Sequence, residues 1–329
     1  LYDKFNLNYS LLNKLLLLSV NAKLPTAKSP KKLALPTSRI FDNGDCFIRS
    51  SWDDNAIVFG MRSGDGSKIK YGHQRPELQS IALAAYGEQM IVCTGSASYR
   101  SPIHYGYDKT TRAANTITID GKNQLFPGKG VSFIEFDNTA FWEQGEPKSS
   151  VTKFTQDNNG TLLRCDAPAA YHISMKEASR TVKYVAEEGF FIVVDRMKSA
   201  DGSGHTFNYR LHLNNGDEKA IVKSTADNNW VLNRPMADLH IALWANKPIK
   251  YAENKGYMHV GTKRDYSPGG PSEGKLGSAI EMDWSNSQPT DEIEFISVLF
   301  PQKKNQKTPV FSLDKDTVIV NGKRYVLPN

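Results

Sequence analysis

From Ile40 to the C-terminus the chain returns again and again to short runs of β-branched and aromatic residues with a period of two. Such runs occur at Cys46–Arg49, Ala56–Met61, Ser80–Ala85, Met90–Cys93, Thr116–Ile119, Ser132–Phe136, Thr161–Cys165, Tyr171–Ser174, Thr181–Val185, Phe190–Val194, Phe207–Leu213, Leu239–Trp244, Ile293–Leu299 and Thr317–Val320. Alternate side chains of a strand point to opposite faces, so a period of two is the mark of a strand with one buried face. Asp120-Gly121 and Asn321-Gly322 each follow an alternating run, where a two-residue hairpin needs them. Asn158-Asn159-Gly160, Asp201-Gly202 and Asn214-Asn215-Gly216 are further loop marks, and Tyr266–Gly277, rich in Gly, Pro and Ser, reads as an exposed loop. Many strands without intervening helices must pair antiparallel and close against each other, which predicts a mainly β fold: a large antiparallel β-sandwich (a supersandwich) with a short N-terminal helical segment.

That helical segment is the one departure from the pattern. Leu11, Leu12, Leu15, Leu16 and Leu18 form a broad helical face, and Pro25, Pro30 and Pro36 then interrupt the chain among Lys28, Lys31 and Lys32. The expected division is therefore 1–35, a terminal helix and linker, and 36–329, a β-sandwich domain with a possible subdivision near 200. One helix cannot bury such a face alone; it packs on the following domain or on material upstream. The chain begins with Leu1, as an internal piece or processed product would, and Leu15–Val20 lacks the cleavage site of a secretion signal.

Composition narrows the class further. The 329 residues carry a net charge of +6, with 39% apolar and 23% charged side chains, a mix that excludes a disordered chain and a coiled coil. No apolar run approaches the roughly 18–20 residues that span a bilayer. Lys and Arg are not clustered among aromatics as nucleic-acid binding would require. The three cysteines, Cys46, Cys93 and Cys165, are too few for a disulfide framework, and each lies in a strand-like stretch that would bury its thiol. Phosphate-binding Gly loops, nucleophile elbows and HExxH motifs are absent.

The densest polar and aromatic region is Tyr71–Gln124, where Tyr71, His73, Arg75, Glu77, Tyr99, Arg100, His104, Tyr105, Tyr107, Arg112, Asn115 and Asp120 alternate with two apolar strands. Arg neutralises carboxylates and Tyr or His moves protons, so these types suit a sugar acid. The same types also line sandwich edges and satisfy backbone groups. His205, His212 and His240 lie in strand-like runs and read as surface or satisfied core residues. Trp52, Trp142, Trp230, Trp244 and Trp284 read as core or rim.

Order adds what composition lacks. Gly72-His73-Gln74-Arg75-Pro76-Glu77 precedes the strand Ser80–Ala85, then come Val92-Cys93-Thr94-Gly95, the Tyr-rich Tyr99–Tyr107, and Thr111-Arg112-Ala113-Ala114-Asn115-Thr116 before a strand ending Asp120-Gly121. Phe47–Trp52, Arg180-Thr181-Val182 and Val194-Asp195-Arg196 extend the match on either side. Over roughly Phe41–Arg196 the sequence resembles the C-terminal β-domain of the heparinase II/III-like polysaccharide lyases.

The resemblance implies β-elimination on a uronic-acid-containing glycan, with His73 and Tyr107 as catalytic residues. It implies Arg100, Arg112, Tyr99, Tyr105 and Arg75 as substrate-binding residues, with Asn115 holding the loop. Some members hold a structural zinc at positions that here are Arg75, Cys93 and Ala114. Guanidinium and methyl groups cannot ligate a cation, so no metal or other cofactor is expected. The family's N-terminal α/α toroid, which supplies the other half of the cleft, has only Leu1–Pro25 in its place. An acidic polysaccharide and an upstream toroid are thus the expected partners, and the periplasm or the cell exterior the expected location. A non-catalytic carbohydrate-binding or structural domain derived from a lyase is the alternative, and a surface binding protein unrelated to glycans a third reading.

Overall fold

The structure is a computed structural model that describes residues 28–64, 75–97, 101–127, 144–259 and 275–328. The chain forms two compact units, Leu1–Pro36 and Thr37–Asn329. Within the first, the described residues make a tight turn in which the amides of Leu33 and Leu35 donate to the carbonyls of Ser29 and Pro30. The helix expected around Leu11–Val20 lies outside the described residues.

The second unit is mainly β, as the periodicity predicts. Its strands are β1 (Ser38–Ile40), β2 (Cys46–Arg49), β3 (Val58–Met61), β4 (Ile81–Ala85), β5 (Glu88–Ile91), β6 (Ile117–Ile119), β7 (Phe126–Pro127) and β8 (Gln144–Gly145). There follow β9 (Ser150–Asp157), β10 (Gly160–Asp166), β11 (Met175–Val185), β12 (Phe190–Ser199), β13 (Phe207–Asn214), β14 (Ile221–Ala226), β15 (Asn229–Asn233) and β16 (Ala237–Ala245). The last are β17 (Ile249–Gly256), β18 (Ala279–Asn286), β19 (Glu292–Lys303), β20 (Phe311–Asp314), β21 (Thr317–Val320) and β22 (Lys323–Val326). A nine-stranded antiparallel sheet runs β1-β2-β3-β4-β5-β13-β18-β17 with β6 also on β13, and an eight-stranded one runs β14-β15-β16-β19-β12-β11-β10-β9.

The two sheets pack face to face. From the first, Ile48, Phe59, Leu83, Phe207, Tyr209, Leu211 and Trp284 enter a shared core; from the second come Leu163, Val182, Phe191, Val193, Leu239 and Phe295. Phe59 stacks on Phe191 with ring centroids 4.7 Å apart. Alternate residues of β12, namely Phe190, Ile192 and Val194, point the other way and pack with Val298, Phe300, Val318 and Val320 under the small sheet β20-β21-β22. That is why Phe190–Val194 is apolar throughout rather than alternating: the strand is buried on both faces.

The turn marks hold. Asp120 and Gly121 have φ of 54° and 68°, and Asn321 and Gly322 of 51° and 85°, the paired positive values that a type I′ hairpin demands. One expected strand differs. Tyr171–Ser174 is a bend after the 3-10 turn Pro168–Ala170, and it brings the Tyr171 hydroxyl to donate to the Ile117 carbonyl. Ser132–Phe136 lies outside the described residues. The edge strands β9, β14 and β17 escape the pattern because their side chains are mostly exposed and carry no apolar stripe. Cys46 and Cys165 are buried as expected, but Cys93, just past β5, is exposed.

Candidate functional site

The polar face of the first sheet is where chemistry can gather. Along β13 the residues Phe207, Tyr209, Leu211 and Leu213 enter the core, so Arg210 and His212 must face the other way. On β18 Met282 and Trp284 enter the core, which turns Glu281 and Asp283 to that same outer face. The register sets His212 opposite Glu281 and Arg210 opposite Asp283, cross-strand pairs of complementary charge. An outer sheet face would ordinarily meet water, yet Arg210, His212 and Glu281 are buried. Loops cover them.

The covering loop begins with a single π-helical turn, His104–Asp108, followed by the 3-10 turn Thr111–Ala113. A π turn is a rare piece of backbone, frequent at functional sites. It drives the ring of Tyr107 inward to 8% exposure. The Tyr107 hydroxyl donates to Glu281 Oε2 at 3.4 Å. Space for the phenol exists because position 256 is glycine: a Cβ there would lie 2.7 Å from the Tyr107 oxygen. Burial, and then the neighbouring Glu281 carboxylate, push the phenol well above the ordinary tyrosine range, so it stays protonated.

Glu281 is the hub of this face. Besides the phenol it receives Arg112 Nε at 3.3 Å on both oxygens, with Arg210 Nε at 3.4 Å and His212 Nε2 at 3.7 Å. Burial opposes its charge, but the cationic groups around it, Arg210 and Arg112 among them, hold the carboxyl below the usual range. The Asn115 amide fixes His212 in turn. Its Nδ2 donates to the carbonyls of Ile81 and Val92, so its Oδ1 must be an acceptor, and it takes both the backbone amide and Nδ1 of His212. That assigns the proton to Nδ1 and leaves the lone pair of Nε2 on the Glu281 side. Burial pushes the imidazole pKa down, in keeping with a neutral ring.

A second carboxylate staples the loop. Asp108 accepts the Ala97 amide at 2.7 Å and His259 Nε2 at 2.6 Å, and the His259 amide donates to the Thr94 carbonyl. Three loops thereby meet on one residue. Behind them Arg180 crosses between the sheets: it pairs with Asp195 at 2.7 Å and donates to the carbonyls of Gln79 and Asn115. Both charges are buried.

Of the residues expected at the site, Tyr107 and Arg112 converge on Glu281. Tyr105 lies on the same π turn, half-buried, with its ring edge-on to His104. Arg75 donates to the Gly95 carbonyl beside the Asp108 staple. His73, Tyr99 and Arg100 lie outside the described residues. Glu281, Arg210, Asp108 and His259 were not foreseen. His212, expected to be an ordinary strand residue, sits instead in the centre of the cluster, while His205 pairs with Asp120 and His240 with Gln302.

The zinc positions are a poor fit for a metal. Arg75 spends its guanidinium on a carbonyl, and Ala114 is a buried methyl group. The remaining thiol, Cys93, reaches solvent, but desolvation by the protein packed around it, and then Glu77, push it up to about 11, which keeps it from becoming the thiolate a metal needs. Among the described residues no three His, Cys, Asp or Glu side chains are grouped to hold an ion. No helix among them is long and apolar enough to cross a membrane.

Comparison with known proteins follows the same lines. The family model described as Heparinase II/III-like, C-terminal, matches residues 50–264. The fold is similar to the heparan sulfate lyase HepC from Pedobacter heparinus, with a TM-score of 0.68 and 17% identity over 99% of this chain and 46% of that one. A heparinase III gene product gives a TM-score of 0.67 and 16% identity over 95% of this chain and 44% of its own. A further heparinase III structure gives 0.63 and 18% over 88% and 42%. The chain therefore spans less than half the length of these structures. Among curated protein sequences none matches it.

Proposed function

Because the chain belongs to the heparinase II/III-like C-terminal family, we propose that it forms the β-sandwich half of a polysaccharide lyase cleft acting on a uronic-acid-containing glycan. The observation that carries this reading is the state of Arg112. Its side chain is 56% exposed, its Nε is tied to the buried Glu281, and its two Nη groups make no hydrogen bond among the described residues. A guanidinium held in that way is ready for a carboxylate.

The chemistry assigns the other roles. A base removes the C5 proton of the uronate, the electron pair spreads into the carboxylate as an enolate, and the C4–O4 bond breaks as an acid protonates O4. The enolate forms only if its charge is countered, which is the work of Arg112 with Arg75 and Arg100 nearby in sequence. Tyr107 carries its proton at all ordinary pH values and so serves as donor rather than base. His73 positions the carboxylate, and Tyr99 and Tyr105 offer rings to the sugar. No step passes through a metal. The toroid half of the cleft would come from a partner domain, and a polymeric substrate places the work in the periplasm or outside the cell.

Incubation with heparan sulfate and other uronate polymers, alone and with a toroid partner, tests this reading. Elimination leaves an unsaturated sugar that absorbs in the ultraviolet, and no new absorbance from any polymer defeats it. The alternative, a glycan-binding domain without chemistry, is favoured by one observation: the Tyr107 hydroxyl is buried and its hydrogen bond is already given to Glu281. Binding without elimination would decide for that alternative.

A further inference from the structure

We infer that Glu281 is a positioning residue that presents Arg112 as a fixed two-pronged receptor for an oxyanion of the glycan. This rests on the lyase reading above and deepens it by naming the group that organises the anion site. Arg112 stands on the short turn Thr111–Ala113, outside any strand, and more than half of its side chain is in water. A long side chain so placed would sample many rotamers and would lose that freedom on binding. Here its Nε–H is shared at 3.3 Å between both oxygens of a carboxylate that is only 1% exposed. Glu281 cannot itself move: it stands on β18, and Tyr107 and Arg210 contact the same carboxylate. The anchored Nε leaves Nη1 and Nη2, which point end-on and match the two oxygens of a carboxylate or one edge of a sulfate. Fixing the fork in advance removes an ordering cost from binding.

The proposal makes a prediction of opposite sign to simple electrostatics. Glu281→Gln deletes a negative charge beside Arg112, which by charge alone would tighten binding of a polyanion. Loss of positioning weakens it instead, by roughly tenfold, the effect of one charge-assisted hydrogen bond. Binding is measured at fixed ionic strength to two probes: polygalacturonate, which carries carboxylates only, and dextran sulfate, which carries sulfates only. The probe that loses affinity on Arg112→Ala identifies the oxyanion. With that probe E281Q weakens binding in the wild-type background and has no further effect in the R112A background. Arg112→Lys, at an exposed position that does not threaten folding, keeps the charge but loses the Nε anchor and the fork, and it weakens binding likewise.

Should R112A weaken binding while E281Q or R112K leaves it unchanged or tighter, the inference is overturned and the lyase reading stands. Should the wild type bind neither probe, nor show elimination, the lyase reading falls. The anchor is then judged without a glycan, from the Nε–H of Arg112 in a nitrogen-15 spectrum. Protection from exchange that E281Q abolishes supports the anchor, and an unprotected Nε–H in the wild type overturns it.

Discussion

The hydroxyl of Tyr107 donates to Glu281 across 174 positions of sequence, joining a π-helical turn in a loop to the middle of a sheet strand. Tyr107→Phe keeps the ring and its packing and removes this bond together with the hydroxyl's contact to the Tyr257 backbone. A net loss of about 1 kcal/mol in unfolding free energy is expected by denaturant titration, together with loss of any elimination activity. Full activity in Y107F would remove the phenol from the mechanism.

Gly256 exists to admit that phenol. Gly256→Ala places a methyl group 2.7 Å from the Tyr107 oxygen, so one of the two must shift. Overpacking of this kind costs roughly 1–3 kcal/mol. The double variant G256A/Y107F, which lacks the offending oxygen, is expected to lose clearly less than the sum of the two single variants; simple additivity would show that the two positions do not collide.

Arg180 and Asp195 are a fully buried ion pair at 2.7 Å. Removing one partner strands the other charge, so Asp195→Asn or Arg180→Met should each cost about 3–5 kcal/mol. The double replacement is expected to be milder than either single change, and thermal melting of the three variants checks the order.

Acidity should unfold this protein in a defined window. Burial lowers the pKa of His104 to about 4 and also lowers that of His212, while both titrate near 6.5 once unfolded. The unfolded chain therefore binds more protons between these values, and stability falls as the pH drops from about 6.5 toward 4. Glu281, held below the carboxylate range, adds a loss of the same sign at lower pH still. His104→Gln should flatten the slope of stability against pH in the upper window; an unchanged slope would show that His104 does not contribute.

Cys93 is exposed, yet its thiol is pushed up to about 11. Alkylation by iodoacetamide should therefore be slow at neutral pH and rise toward pH 11. Elemental analysis of the purified protein is expected to find less than one zinc per chain, and a full equivalent would contradict the ligand inventory.

Most of the sandwich was legible because its long central strands announce themselves by period, and its hairpins by Asp120-Gly121 and Asn321-Gly322, although the interior strands β15 and β18 were missed. The edge strands were hidden because an exposed strand needs no apolar stripe. Half of the site was legible for a different reason. Tyr107 and Arg112 lie in one stretch whose order is distinctive, whereas Glu281 and His212 meet them only through sheet pairing. Nothing local marks Glu281: the alternation Ile280, Met282, Trp284 says only that it faces outward, as a solvated residue would. It is the loop folded over it, far away in sequence, that turns an ordinary outward carboxylate into a buried hub.

The small sheet at the C-terminal end has a practical consequence. Val318, Val320 and Leu327 lie over Phe190, Phe300 and Ile296, so the second large sheet has no wet face at its centre. A fragment trimmed before Phe311 would retain every described residue of the anion site and still present a bare aromatic surface to its neighbours. Such a truncation would be lost to aggregation before its binding could be assayed, and recombinant versions should keep these last strands.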